Sequence, residues 1–262
     1  MKKIFLALFI FFLCSVTFAS DVVFIEKNKE KSKKIALVIL NGIGDSKKNR
    51  KAQMNFFNNK GMDVFIPDYK QRSSLDESLI KFTKFYDDYE IEKYKEVYFM
   101  CYIIGGYVLN RYIETNGKKN IKKIIYDRSP TQERAAKIGV DKFPFITRLF
   151  YGKIVVDFSE IKLKSLSDTS NLKIGVIIEN QATRLMRFFE KSSYKYGSYT
   201  FDINNIEKKH NDFFHTWLDH DLMYKRFDII GEEIIFFFKN GYFSKNAKRK
   251  KYDFDPFKKI RL

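Results

Sequence analysis

Short apolar runs alternate with amphipathic stretches along most of this chain. Continuous apolar runs that end in glycine, proline or polar residues are typical of strands buried on both faces of a parallel sheet. The runs that we interpret as strands are residues 34–40, 62–66, 97–101, 121–126, 172–178 and 198–203. Amphipathic spacing predicts helices over residues 50–60, 75–90, 105–115 and 219–238. This alternation predicts an α/β fold, with a mostly parallel sheet flanked by helices on both faces.

The alternation is interrupted over about residues 128–170. This segment contains Pro130, Pro144 and several aromatic residues, which indicates a lid-like insertion rather than another strand and helix. We therefore predict one α/β domain over residues 20–240, followed by a loosely held basic C-terminal tail over residues 241–262.

The first 19 residues have the pattern of a secretory signal peptide. Lys2 and Lys3 precede an apolar run that extends to Phe18, and Thr17 and Ala19 are the small residues of a cleavage site. A membrane-spanning helix needs roughly 18 to 20 apolar residues, so an uncleaved anchor is the less favoured alternative. The pattern predicts export to a periplasm or out of the cell, with cleavage after Ala19.

The chain is strongly basic, with 49 Lys and Arg against 32 Asp and Glu and a formal net charge of +17. This charge favours contact with an anionic envelope surface, although lysines spread over solvated faces would produce the same total. The lysine runs lack the interleaved arginines and aromatic residues of nucleic-acid grooves, so we expect no nucleic-acid partner. The oligomeric state cannot be predicted from the sequence.

Cys101 is the one cysteine that remains after the predicted cleavage. No intramolecular disulfide can then form, and the thiol is either buried and inert or reactive. It lies in the stretch VYFMCYIIGGYVLN, residues 97–110, which reads as a strand that turns sharply into a helix. Gly105 and Gly106 occupy the first turn of that helix.

This stretch and the order of the elements around it resemble the α/β-hydrolase fold family over nearly all of residues 34–240. That family presents its nucleophile on a Gly-x-Ser-x-Gly elbow between a strand and a helix. The matching residues run from Cys101 to Gly105, with Ile103 in place of the serine. A β-branched residue at positive φ is strained by about 1 to 3 kcal/mol. We therefore predict a relaxed elbow, with Ile103 at an ordinary φ.

The resemblance also implies where an oxyanion loop and a catalytic acid would lie. The oxyanion loop would be the turn after the first predicted strand, which contains Gly42, Ile43 and Gly44. The acid would follow the strand at residues 172–178. Glu179 could orient an imidazole there, simple register favours Gln181, and Asp127 after the preceding strand is another candidate.

All three histidines follow the last predicted strand, in the segment HNDFFHTWLDHD. The resemblance implies that His215 is the catalytic histidine, with His210 as the second choice, and we interpret His220 as a loop or capping residue. Histidines five residues apart turn by about 140° on a helix and do not share a face. We therefore predict no metal site from these three, and no cofactor.

Two functions remain open from the sequence. The favoured one is an exported α/β-hydrolase-fold protein that has lost its serine-hydrolase chemistry and binds a small-molecule or lipid-like ligand, or acts as an interaction module. The alternative is an active hydrolase of ester or acyl bonds that uses Cys101, or a displaced serine such as Ser129, together with His215. In a third and weaker hypothesis, residues 241–262 dock on an anionic envelope component.

Overall fold

The computed structural model describes residues 20–27 and 29–259. The predicted signal peptide lies outside these residues. Within them, none of the helices combines the length and the apolar character that crossing a bilayer requires.

Seven strands of the described chain form one sheet. They are β1 (Val22–Phe24), β2 (Ile35–Leu40), β3 (Asp63–Ile66), β4 (Glu96–Tyr102), β5 (Ile121–Arg128), β6 (Lys173–Glu179) and β7 (Asp212–Thr216). The strand order is β1-β3-β2-β4-β5-β6-β7. β1 runs antiparallel to β3, and the other neighbouring pairs are parallel. The predicted mostly parallel sheet is confirmed.

Helices cover both faces of this sheet. In chain order they are α1 (Lys47–Phe57), α2 (Leu75–Asp88), α3 (Ile104–Asn116), α4 (Ala135–Lys142), α5 (Pro144–Tyr151), α6 (Lys153–Glu160), α7 (Arg184–Phe188), α8 (Glu190–Ser193), α9 (Ile203–Ile206), α10 (His220–Met223) and α11 (Phe227–Asn240). Short 3-10 turns lie at Lys31–Lys33, Ile91–Lys93, Gln132–Arg134 and Tyr194–Tyr196. The insertion thus consists mainly of three short helices, α4 to α6.

The core is divided between the two faces because side chains alternate along each strand. In β2, Val38 and Leu40 belong to the layer that also contains buried residues of α2 and α3. Leu37 and Ile39 belong to the opposite layer, which contains buried residues of α11. Burial on both faces explains why the central strands read as continuous apolar runs.

The last strand is not where the sequence pattern predicted it. Residues 198–203 are not a strand, because Phe201 and Ile203 pack as a covering segment against Val176 and Ile178 of β6. The strand is instead Asp212–Thr216, which pairs in parallel with β6. The predicted helix over residues 219–238 is also divided into α10 and α11.

The basic tail is folded onto the domain rather than loosely held. The backbone N–H of His215 donates to the carbonyl of Lys248 at 2.8 Å, and the N–H of Tyr252 donates to Oδ1 of Asn180 at 2.9 Å. Phe257 is buried at the end of this segment. The tail therefore covers the β7 edge of the sheet, which would otherwise present unpaired backbone groups.

Candidate functional site

The turn from β4 into α3 keeps the conformation of a strained elbow, although its tip is isoleucine. Ile103 has φ of 23° and ψ of −85°. Its N–H donates to the carbonyl of Asp127 at 3.2 Å, and its own carbonyl accepts from the N–H of Gly106 at 3.0 Å. The prediction of a relaxed elbow with Ile103 at an ordinary φ is wrong.

Close packing of α3 against β2 explains this conformation. A Cβ atom on Gly105 would lie 2.2 Å from the carbonyl oxygen of Leu40, so the helix begins almost in contact with the strand backbone. The strain at Ile103 is about 1 to 3 kcal/mol. Burial of its side chain, which is 6% exposed, contributes about 1.5 to 3 kcal/mol in the opposite direction. Tertiary packing can therefore hold a β-branched residue at this position.

The other two candidate nucleophiles lie in closed surroundings. Cys101 is fully buried in the core layer that contains Phe99 and Tyr126, and burial raises the pKa of its thiol well above the ordinary value. Ser129 is also fully buried, and its hydroxyl accepts from the N–H of Gln132 at 3.3 Å. The thiol therefore stays protonated and shielded, which is the inert state of a lone cysteine.

We expect Cys101 to resist alkylation in the folded protein, because alkylation requires an exposed thiolate that attacks the methylene carbon of iodoacetamide and displaces iodide. Its labelling should be at least about 100-fold slower in native buffer than in the guanidinium-unfolded chain. Mass spectrometry of the peptide that contains Cys101 measures the two rates. Comparable rates would show that the thiol is reachable and would restore it as a candidate nucleophile.

His220, and not His215, lies beside the elbow. His220 and Ile103 line the same cavity. The Nδ1 atom of His220 lies 2.7 Å from Oε1 of Glu179 and 3.5 Å from Oδ2 of Asp127. Its Nε2 atom lies 3.2 Å from the hydroxyl of Tyr224. The interpretation of His220 as only a loop or capping residue is corrected by these contacts.

The structure does not bring His215 to this cavity. His215 lies within β7 opposite Ile178, and its Nδ1 is 2.9 Å from Nδ2 of Asn180. It borders a separate cavity with Arg249 and Lys251. Burial, together with the positive charges of Lys248 and Lys251, lowers the pKa of His215 to about 4. His215 is therefore neutral near pH 7 and apart from the elbow.

His210 and Gln181 are also placed away from the elbow. The Nδ1 atom of His210 lies 2.9 Å from the carbonyl of Glu207. Gln181, which simple register favoured as the acid position, donates through Nε2 to the carbonyl of Lys258 at 3.3 Å. Neither side chain lines the cavity beside Ile103.

Two carboxyl groups meet at the ends of neighbouring strands. Asp127 in β5 and Glu179 in β6 are both fully buried. Burial raises the pKa of Glu179 and the charge of Asp127 raises it further, so that it lies well above the ordinary value despite His220. Burial alone would lower the pKa of His220, but the two carboxyl groups outweigh it and raise that pKa well above its ordinary value. The two acids therefore favour the protonated form of His220.

A tyrosine that the sequence analysis missed occupies the space between the histidine and the predicted oxyanion loop. The N–H of Gly42 donates to the hydroxyl of Tyr224 at 3.2 Å, and the same hydroxyl contacts Nε2 of His220. The ring of Tyr224 stacks on Tyr102 with centroids 4.2 Å apart. Tyr224 follows His220 by four residues in a predicted helix, a spacing that indicates contact. That spacing was the available signal.

A buried ionic network fixes the loop after β2. Asp45 accepts from Nε of Arg50 and from Nζ of Lys70, each at 2.9 Å. Burial opposes ionisation of Asp45, but Lys70 and Arg50 outweigh it and lower the pKa of this carboxyl. Asn41 is bound from the other side by Gln53, with Nδ2 2.9 Å from Oε1. The residues on either side of Gly42, Ile43 and Gly44 are therefore anchored.

A largely apolar cavity of about 350 Å³ opens beside the elbow. Gly42, Ile43 and Gly44 form part of its wall together with Ile103 and His220. The insertion and the segment after β6 supply most of the rest, including Ala136, Ile138, Phe143, Val155, Phe158 and Met186. The few polar groups include Gln132, Thr147 and Asp221. Such a lining suits an apolar ligand with a limited number of polar groups.

Solved structures of three proteins resemble this fold. Est1E from Butyrivibrio proteoclasticus has 14% identity and a TM-score of 0.55, with 84% of this chain and 93% of that chain covered. A Bacillus licheniformis lipase, BlEst2, has 12% identity and a TM-score of 0.56, with 84% and 97% covered. MGS-MChE2, an α/β-hydrolase enzyme from a lagoon-sediment metagenome, has 15% identity and a TM-score of 0.52, with 83% and 98% covered.

No protein-family model matches the sequence, and no curated protein matches it significantly. At identities of 12% to 15%, the likeness to the three solved structures is a likeness of fold.

Proposed function

We propose that this chain, which has the α/β-hydrolase fold, binds a lipid-like ligand in the cavity beside Ile103 and has lost serine-hydrolase chemistry. The observation that carries the proposal is the pair of side chains at and beside the elbow, Ile103 and Tyr224. Ile103 lies at its tip. The hydroxyl of Tyr224 contacts Nε2 of His220 and accepts a hydrogen bond from the N–H of Gly42.

Each step of acyl transfer would need a group that is missing or occupied in this arrangement. A hydrocarbon side chain has no lone pair, so Ile103 cannot attack a carbonyl carbon. A general base needs a free nitrogen, but Nε2 of His220 contacts Tyr224. An oxyanion donor needs a free N–H, but that of Gly42 already donates to the same hydroxyl.

Binding makes use of what the site retains. The cavity volume of about 350 Å³ lies at the lower end of the range for small-molecule sites. Its wall is mainly aliphatic and aromatic, so the favourable free energy would come from burial of apolar surface, about 25 cal/mol per Å². A single acyl chain matches this chemistry better than a polar or charged metabolite does.

We expect the full chain to bind a fluorescent fatty acid, and Ala135→Phe to weaken this binding at least about tenfold, or about 1.4 kcal/mol. Ala135 lines the cavity, and a phenyl group there would fill part of it. Ala135→Ser adds one atom at the same position and is the matched control, which should bind as the unchanged chain does. Equal affinities of the Phe and Ser variants would place the ligand elsewhere.

A second candidate function is hydrolysis of ester or acyl bonds, which the 2.7 Å contact between His220 and Glu179 favours. Turnover of a short-chain 4-nitrophenyl ester by the unchanged chain, abolished by His220→Ala, would support it over the binding proposal. The version of this hypothesis that relies on His215 with Cys101 or Ser129 has no support from their positions.

Export and contact with an anionic envelope surface form part of the proposal. The support for export is the predicted leader, residues 1–19, which lies outside the described part of the chain. The support for an anionic surface is charge, since Lys245, Lys248, Lys250 and Lys251 are all exposed on the folded tail.

A further inference from the structure

Three side chains of the kind that bind metal ions are buried beneath the cavity. Asp127 comes from the end of β5, Glu179 from the end of β6 and His220 from the start of α10. One potential ligand atom from each lies within 4.8 Å of the other two. The carboxyl ends of parallel neighbouring strands meet at one edge of the sheet, which brings the two acids together.

Three of the four carboxylate oxygens in this cluster lack a hydrogen-bond partner in the described part of the chain. Both oxygens of Asp127 and Oε2 of Glu179 are buried without a hydrogen-bond partner in the described part of the chain. Both side chains are fully buried. A buried carboxylate that accepts no hydrogen bond is strongly unfavourable, and such groups usually indicate an ion, a water molecule or a proton.

The two acids also share a single basic neighbour. Within residues 20–27 and 29–259, the ion-pair contacts of Asp127 and of Glu179 are both with Nδ1 of His220, at 3.5 Å and 2.7 Å. Nearby Asp45, by contrast, is matched by both Arg50 and Lys70. A divalent cation would balance the two carboxylates and would give their free oxygens a ligand role.

We propose that Asp127, Glu179 and His220 bind one divalent cation, of the class that takes mixed nitrogen and oxygen ligands, with Zn²⁺ as the best match. Imidazole nitrogen together with carboxylate oxygen suits Zn²⁺, whereas Ca²⁺ and Mg²⁺ favour all-oxygen sites. Both acids are fully buried, so the bound ion would hold the ends of β5 and β6 to α10. The inference does not depend on the proposed ligand-binding function.

The contact of Nε2 of His220 with Tyr224 leaves Nδ1 as the nitrogen that would bind the metal. With Nε2–H donating to the hydroxyl of Tyr224 at 3.2 Å, the lone pair of Nδ1 is left for the metal. Histidines that bind metals commonly donate their other N–H to such a fixed acceptor. Binding displaces the Nδ1 proton, and any proton held between the two carboxyl groups, into the solvent.

The test titrates the chelator-treated full chain with Zn²⁺ and follows both binding and thermal unfolding. We expect one Zn²⁺ per chain at this site, and a midpoint higher by roughly 5 to 10 °C at a free Zn²⁺ concentration about a hundred times the Kd. Asp127→Asn should abolish this increase. His210→Asn and His215→Asn, which remove the other two histidines, are matched controls that should retain it.

The Asp127→Asn variant also tests whether the cluster binds a metal ion or a proton shared by the two carboxyl groups. Without metal, the substitution removes like-charge repulsion and should leave the midpoint unchanged or higher, so the variant is expected to fold. If it does not fold, Glu179→Gln is used in the same titration. Absence of Zn²⁺ binding, or binding that survives both substitutions, would overturn the proposal. Equal midpoints with and without Zn²⁺ in the unchanged chain would assign the cluster to a proton.

Discussion

The double variant Ile103→Ser/Tyr224→Phe is expected to hydrolyse short-chain 4-nitrophenyl esters, whereas Ile103→Ser alone should gain little activity. The serine would stand at the tip of an elbow that already has φ of 23°. Removing the hydroxyl of Tyr224 frees Nε2 of His220 and the N–H of Gly42, which it now occupies. The phenyl ring retained at position 224 still stacks on Tyr102, so the packing is preserved.

The gain in activity should be large because a general base and an oxyanion donor become available together. General base catalysis contributes about 10²- to 10⁴-fold, and an oxyanion donor about 10²- to 10³-fold. We therefore expect the double variant to exceed Ile103→Ser by about 100-fold or more in kcat/KM. Ile103→Ala/Tyr224→Phe has the same altered site without a nucleophile and should stay inactive. Adding His220→Ala to the active variant should abolish turnover.

The assay should be run in the presence of a chelator and over a range of pH. A cation on Nδ1 of His220 would prevent this residue from acting as a base, so added Zn²⁺ should suppress the activity. Without metal, Glu179 and Asp127 raise the pKa of His220 well above its ordinary value, overcoming the opposite effect of burial. The base is its neutral form, so activity should still be rising with pH above neutrality.

Two outcomes would contradict this account of the site. Equal activity in Ile103→Ser and in the double variant would show that Tyr224 does not block the histidine. No activity in a folded double variant would show that His220 cannot serve a nucleophile at the elbow. Because Glu179 lies 2.7 Å from His220, the low activity expected of Ile103→Ser alone is due to the hydroxyl of Tyr224 and not to the lack of an acid.

The fold could be predicted because its signal is repeated along the chain. Strands β2 to β6 are buried on both faces, and such strands form apolar runs that a local pattern identifies. The order of strands, turns and glycines then indicated the α/β-hydrolase fold, which the solved structures confirm. Glu179 and Asp127 followed from the same reasoning, since each closes a predicted strand.

The histidine was misassigned because the last strand was misplaced. Residues 198–203 and 212–216 are both short and apolar, and the choice between them depends on pairing with β6, which no local pattern shows. Placing the strand too early put both His210 and His215 in the following loop, and His215 was then favoured because it precedes the last predicted helix by a few residues. Because the strand is Asp212–Thr216, the histidine that follows the last strand is His220.

The conformation of Ile103 was mispredicted for a related reason. Local preference argues against a β-branched residue at positive φ, but the backbone there is fixed by α3 packing on β2. The role of Tyr224 depends on a contact with Gly42, 182 residues away in the sequence. Such contacts are decided by tertiary structure, and single-sequence patterns do not contain them.

Gly105→Ala is expected to lower the free energy of unfolding by roughly 3 kcal/mol or more. A Cβ at this position would lie 2.2 Å from the carbonyl oxygen of Leu40 and 2.7 Å from its Cβ, and neither the strand nor the helix backbone can yield cheaply. Overpacking of a core costs about 1 to 3 kcal/mol, and more where backbone is involved. Helix propensity favours alanine over glycine by about 1 kcal/mol, so the measured loss of unfolding free energy is the steric cost less this gain.

Gly117→Ala is the matched control for this prediction, to be compared by urea-induced unfolding. Gly117 has φ of 78°, and a Cβ there would meet no atom within 4 Å, so the change should cost only about 1 to 2 kcal/mol of backbone strain. A clearly larger loss of unfolding free energy in Gly105→Ala than in Gly117→Ala would show that α3 cannot move away from β2. Equal losses would show that α3 can move. Ile103 would then be free to relax, and the packing explanation of the elbow would fail.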